Sequence, residues 1–204
     1  ATGTGEVWEF GAGTGALALQ VIEALADLGR PLRRYTIVDL SGSLRERQRA
    51  TLAAHADLVH WADALPDAIE GVVLGNEVLD AMPVTLLARV GGDWHERGVS
   101  LAGDALVWAD RPTALRPPLA MDGTHDVVTE IHPQAKAFVR TLAERLQRGA
   151  AFFFDYGFPE AEYYHPQRSM GTLIAHRAHR SDDDVLADAG HKDITAHVNF
   201  TGVA

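Results

Sequence analysis

The sequence predicts an α/β fold, a parallel doubly wound sheet with a small inserted β-meander and a long loop region toward the C-terminus. Three observations carry this. Residues 7–15, VWEFGAGTG, run from an apolar strand into glycines at alternate positions and then an Ala/Leu-rich helix. Strand-like and helix-like runs then alternate along the chain, five times, as a parallel sheet requires. The second short apolar run, YTIVDL at 35–40, ends in an acid, as nucleotide-binding α/β folds do.

At 204 residues and 47% hydrophobic content the chain can bury one sizeable α/β core. It carries 28 acidic against 18 basic residues, a net charge of −10, which disfavours a nucleic-acid partner and is compatible with a basic peptide. The absence of cysteine removes disulfides, thiolate zinc sites and thiol catalysis together. No apolar stretch approaches the ~18 residues of a membrane span, and no basic-plus-apolar leader precedes the first strand, so a cytoplasmic protein is expected. The chain reaches its first core strand almost at once and stops just after Asn199 and Thr201, which could cap another helix. It therefore reads as the central part of a longer protein.

The first turn is the most telling element. Glycines at 11, 13 and 15 allow positive φ and close approach of a ligand to the backbone. The helix over 16–28 then offers unpaired N–H groups and a favourable dipole. Gly11, Gly13 and Ala16 satisfy the dinucleotide pattern G-x-G-x-x-G/A. Glu9, Gly11, Gly13 and Gly15 equally satisfy E-x-G-x-G-x-G, the turn that takes S-adenosylmethionine. The glycines could also serve only a structural turn, but Glu9 favours the second ligand. A carboxylate repels a dianionic pyrophosphate in a partly desolvated cleft, but suits a sulfonium and an ammonium.

Asp39, ending the second strand, is placed to accept ribose hydroxyls, with Ser41 or Ser43 left to cap the helix over 43–56. After the strand at 58–61, Asp63 could meet an adenine amine or be a plain loop aspartate. The fourth strand, 71–76, leads into Asn76, Glu77 and Asp80 at the sheet edge where such folds bind ligands. Glu77 and Asp80, three apart, would share one face of a helical turn and could grip a guanidinium or act as a base. Their acidity could also serve only the helix dipole.

From 86 to 109 three short strands alternate with Gly91-Gly92-Asp93 and Gly103-Asp104, a meander inserted beside the cleft, and 110–126 is a proline-containing loop. Residues 131–149 form the clearest helix, with Pro133 in its first turn and Gly149 as its stop. The fifth strand is 150–156. A polar, aromatic loop over 162–184 is long enough to be a lid or binding loop. His176 and His179 beside Asp182–Asp184 lack regular ligand spacing, so no metal is expected. The expected divisions are 1–83, the meander and loop at 84–130, helix and fifth strand at 131–157, and a C-terminal part at 158–204.

Five runs together resemble the MidA-type family of S-adenosylmethionine-dependent methyltransferases, which includes a mitochondrial complex I assembly factor that dimethylates a protein arginine. They are EFGAGTGALA, VVLGNEVLDAMPV, TEIHPQAKAFV, FFDYGFPEAEYYHPQRSMGTLIAHRAHR and DITAHVNF. The resemblance implies a Rossmann-like class I methyltransferase core. Glu9, Gly11, Gly13 and Gly15 would line the methionine end of the cofactor, Asp39 its ribose, and Asn76 and Glu77 the methyl group. The loop from Tyr163 to Arg180 and the stretch 193–200 would form the substrate side, making Tyr163, Tyr164, His165 and His197 contact residues for a protein or peptide. The family normally has a further N-terminal segment and additional C-terminal strands that are missing from this chain. Two other classes stay open: a cofactor-binding assembly chaperone, and a nicotinamide-dependent oxidoreductase built on Gly11, Gly13 and Ala16.

Overall fold

The computed structural model describes residues 3–177 and 180–204. The chain begins with β1 (Glu6–Phe10), α1 (Ala16–Asp27), β2 (Arg34–Val38), α2 (Gly42–Thr51), β3 (Val59–Ala62) and β4 (Ile69–Asn76). Strands β5 (Thr85–Val90), β6 (Asp93–Ala102), β7 (Ala105–Pro112) and β8 (Val127–Ile131) follow, then α3 (Pro133–Arg145) and β9 (Leu146–Phe154). The remainder holds β10 (Gly157–Phe158), α4 (Glu160–Tyr163), β11 (Ile174–Arg177), β12 (Arg180–Asp182), β13 (Asp193–Thr195), β14 (Val198–Asn199) and α5 (Phe200–Val203). Contacts divide the chain into two compact units, Ala1–Val78 with Arg140–Phe154, and Leu79–Val139 with Asp155–Ala204.

The first unit is a parallel five-stranded sheet in the order β3-β2-β1-β4-β9. Every strand therefore ends at the same edge, where this architecture binds ligands. Val7, Tyr35, Ile37 and Val59 point to one face and join Ala18 and Ile22 of α1 and Leu52 after α2 in one buried cluster. Ala18 and Ile22 lie one helical turn apart, which is why a helix of this composition docks on a sheet. α1 ends as a Schellman turn: Gly29 takes φ 67°, and the N–H groups of Gly29 and Arg30 reach back to Ala26 and Leu25.

The helix expected to run to Gly149 stops at Arg145, and Leu146 to Gly149 belong to β9. Gly149 faces Gly71 across β4 and β9, and a Cβ there would lie 1.8 Å from the Gly71 carbonyl. The glycine permits close strand approach, a different use from ending a helix. Ile131, expected in that helix, closes β8 instead. The fivefold alternation also fails after β3, because residues 63–68 join β3 to β4 without a helix.

In the second unit β7-β6-β5-β8 form an antiparallel sheet, with glycine turns at Gly91-Gly92 and Gly103-Asp104. The stretch expected as a loop over 162–184 contributes to α4, β11 and β12, and β12-β11-β13 pair as a small sheet of their own. Met121, Val127, Tyr163 and Tyr164 form a buried cluster with Trp94 and Phe158 against it. Asn199 caps α5, its Oδ1 accepting the Gly202 N–H at 3.0 Å. His179 lies outside the described residues, and Asp182 is engaged by the Lys192 ammonium.

Candidate functional site

Gly11, Gly13 and Gly15 all hold positive φ, at 65°, 52° and 84°, a conformation that other residues rarely adopt. They play three different parts. A Cβ on Gly11 would strike Val78 at 2.9 Å, and one on Gly15 would press on Leu52 and Gln48 at 3.2 and 3.4 Å. Gly13 has nothing within 4 Å of that position, so open space lies over the middle of the turn. Gly15 is the α1 N-cap and has no side chain to cap with, which leaves first-turn N–H groups for a ligand.

Asp39 follows β2, and both of its carboxylate oxygens are held. Oδ1 accepts the Ser41 N–H at 2.8 Å and Oδ2 accepts Gln48 Nε2 at 2.7 Å. Ser41 caps α2 by accepting the Leu44 N–H, so the helix has its own cap and Asp39 is not spent as one. Gln48 Nε2 also donates to the Gly13 carbonyl at 3.0 Å. The Arg45 guanidinium donates to the carbonyls of Asp39 and Ala62 and pairs with Asp63 at 2.6 Å. The glycine turn and the ends of β2 and β3 are thus joined by direct contacts through α2. Asp63 is exposed, and its ion pair with Arg45 is worth little by itself.

Glu9 lies below this edge on β1, 2% exposed, its Oε2 accepting the Tyr35 hydroxyl at 2.7 Å. Burial raises its pKa above the usual carboxylate range, and the Tyr35 hydrogen bond offsets this in part. Burial likewise pushes the Tyr35 phenol up, with the neighbouring Glu9 adding to it. Asn76 ends β4 beside the turn, its carbonyl 3.9 Å from the position a Gly11 Cβ would take. Glu77 is exposed and takes φ 52°, held there by its N–H donating to Phe154 at 2.8 Å. A glutamate in the left-handed region is uncommon, and such strain concentrates at functional positions.

Glu77 and Asp80 do not share a helical face, because the chain between β4 and β5 makes bends and turns. Glu77 belongs to the first unit, while Asp80 is buried in the second, where its carbonyl accepts the Ala196 N–H at 3.0 Å. Asp80 lines a cavity of about 290 Å³ with Met82, Pro83, Leu173 and Ile194.

Of the residues expected to contact a substrate, Tyr163 and Tyr164 are instead core residues, 1% and 2% exposed. Their hydroxyls donate to the Glu130 carboxylate at 2.9 Å and to the Glu130 carbonyl at 3.0 Å. Burial pushes the Tyr164 phenol up to about 12. His165 is exposed and lines a cavity of about 470 Å³ with Glu162, Arg168 and Met170. His197 is half-buried, its ring edge-on to Phe158 at 5.1 Å, and burial, with Arg168 nearby, holds its pKa below the ordinary histidine value.

Two buried residues were not singled out from the sequence. Glu130, 0% exposed, accepts the N–H groups of Thr172 and Leu173 at 2.7 and 3.0 Å on one oxygen. Its other oxygen takes the hydroxyls of Tyr163 and Thr172. Burial raises its pKa, against the lowering effect of these four bonds. Gln48 is the second. Both are polar residues in stretches that read as ordinary element surfaces; only TEIHPQA, which contains Glu130, offered a signal.

A family model described as "Putative S-adenosyl-L-methionine-dependent methyltransferase" matches residues 1–204. The chain is 25% identical over 227 residues to a protein arginine methyltransferase NDUFAF7 homolog, mitochondrial, of Caenorhabditis elegans, covering 97% of the chain and 52% of that protein. It is 24% identical to the Xenopus laevis protein arginine methyltransferase NDUFAF7, mitochondrial, covering 94% and 50%. Among solved structures it matches a superfamily member and "likely methyl transferase" from Burkholderia thailandensis bound to S-adenosyl-homocysteine. That likeness has a TM-score of 0.92 at 53% identity and covers 99% of this chain and 55% of the other. The chain thus spans about half the length of the relatives it matches.

Proposed function

The chain belongs to this family of S-adenosyl-L-methionine-dependent methyltransferases, and from that premise we propose that it binds S-adenosylmethionine at the carboxyl edge of the parallel sheet and transfers its methyl group to a protein side chain. The observation that carries this is the open, positive-φ glycine turn tied through Gln48 to the carboxylate of Asp39. A turn and an acid at that spacing suit a ribose and the amino-acid tail beyond it.

The residues divide the ligand between them. Gly11, Gly13, Gly15 and the α1 N-terminus take the methionine end, where Glu9 complements the ammonium. Asp39 takes the ribose hydroxyls, Asp63 the adenine amine, and Asn76 the region near the methyl group. Bound there, the cofactor supplies a sulfonium methyl that in-line displacement passes to a nucleophilic nitrogen, leaving S-adenosylhomocysteine. The protein's main contribution is alignment of donor and acceptor.

The acceptor we favour is an arginine of a protein, the class named for the C. elegans and X. laevis relatives. Glu77 would orient the guanidinium, which stays protonated in water and so needs a carboxylate to hold it and accept the proton that methylation releases. His165 and His197 would lie on the peptide side. An assay with methyl-labelled S-adenosylmethionine and arginine-containing peptides tests this, read by mass spectrometry. Label on arginine, reduced at least tenfold by Glu77→Gln, is the expected result. Cofactor binding with no transfer to any peptide would favour the assembly-chaperone class.

A further inference from the structure

We propose that Gln48 is a positioning residue for the cofactor: it locks the glycine turn and the Asp39 carboxylate into one ribose-binding geometry. This rests on the assignment of the edge to S-adenosylmethionine.

α2, GSLRERQRAT, is short and strongly polar, and Gln48 is its one buried residue. It is 0% exposed. A buried amide must have its hydrogen bonds met, and here every group of the amide is used. Nε2 donates to the Gly13 carbonyl at 3.0 Å and to Asp39 Oδ2 at 2.7 Å, and Oε1 accepts the Trp61 indole N–H at 2.9 Å. The partners also fix which way the amide points. A carbonyl and a carboxylate can only accept, and an indole can only donate, so the flipped amide would lose all three bonds.

The helix packs closely on the turn. A Cβ on Gly15 would lie 3.4 Å from the Gln48 Cα and 3.2 Å from Leu52, one turn further along. Gln48 therefore joins three strand ends: the turn after β1, the acid after β2 and the indole on β3. Asp39 is held by Gln48 on Oδ2 and by the Ser41 N–H on Oδ1, so its carboxylate plane is set before any ligand arrives. Each oxygen keeps acceptor capacity for one hydroxyl of a vicinal diol. A preset acceptor pair discriminates for the diol more sharply than a mobile one.

The test is calorimetric titration of the chain and two variants, Gln48→Met and Gln48→Glu, with S-adenosylhomocysteine and with its 2′-deoxyribose counterpart. The first variant keeps the length and removes the bonds; the second turns an oxygen toward Asp39 and Gly13. The readout is the ratio of the two affinities, which a general loosening of the fold would leave unchanged. Both variants should weaken S-adenosylhomocysteine by roughly tenfold and the 2′-deoxy ligand much less, drawing the ratio toward one. If one variant fails to fold, the other carries the test. A wild-type ratio retained in a folded variant overturns the proposal. No binding of S-adenosylhomocysteine by the wild-type chain would instead overturn the cofactor assignment beneath it.

Discussion

Each unit of this protein buries a glutamate, and the two glutamates are treated differently. Glu130, in the second unit, is enclosed by two backbone N–H groups and two hydroxyls, which together occupy both its oxygens. Glu9, in the first, sits one residue from the end of β1 and takes a single hydroxyl, that of Tyr35. Burial raises the pKa of both. An acid whose acceptor sites are filled from four directions holds chain segments together. An acid with acceptor capacity left over, two residues before the glycine turn, is the one we propose to complement the cofactor's ammonium.

Removing the filled acid should have the largest effect. Glu130→Ala leaves the Thr172 and Leu173 N–H groups and the Tyr163 hydroxyl facing a void, and should cost about 3 kcal/mol or more in urea unfolding. A loss below ~1 kcal/mol would show that these bonds do not hold the fold. Next comes the turn. Gly13→Val forces a β-branched residue to φ 52° and fills the open space above it. Affinity for S-adenosylhomocysteine should fall about a hundredfold, with only ~1–2 kcal/mol lost in stability.

Glu9→Gln sharpens the contrast. It should weaken S-adenosylhomocysteine roughly tenfold by removing a charge partner for the ammonium. Its effect on stability has the opposite sign. Because burial raises the Glu9 pKa in the folded state, this group's contribution to stability is full below the unfolded value near 4.5 and is lost as pH rises through the folded pKa. The non-ionising variant escapes that loss, so its stability relative to wild type should increase as pH rises above about 4.5. A variant that binds S-adenosylhomocysteine as wild type does would place Glu9 with Glu130 as a structural acid. The smallest effect is expected of Tyr35→Phe, which removes one hydrogen bond and should cost about 1 kcal/mol.

The same contrast explains what was legible in the sequence. The first unit's ligand edge could be read because each part has a local signature: an apolar strand before Gly11, Gly13 and Gly15, and an acid ending YTIVDL. The second unit gave few such cues. Its short strands β11 and β12 carry His176, Arg177 and Arg180, polar residues that read as loop, and their pairing depends on partners up to 21 positions away, as Ile174 with Thr195. At Gly149 a glycine that permits strand approach has the same sequence signature as one that stops a helix. Gln48 and Glu130 escaped because a polar residue satisfied in the interior has the same letters around it as one on the surface. Tyr163 and Tyr164 lie in a stretch that reads as polar loop, yet both are buried against Glu130.

The measurement that tests the central claim most directly is calorimetric titration of the chain with S-adenosylhomocysteine, with NADH in a parallel cell. The account predicts saturable one-site binding of the first, weakened about a hundredfold by Gly13→Val, and none of the second. Binding of NADH at the same turn, or no response to S-adenosylhomocysteine, would contradict it.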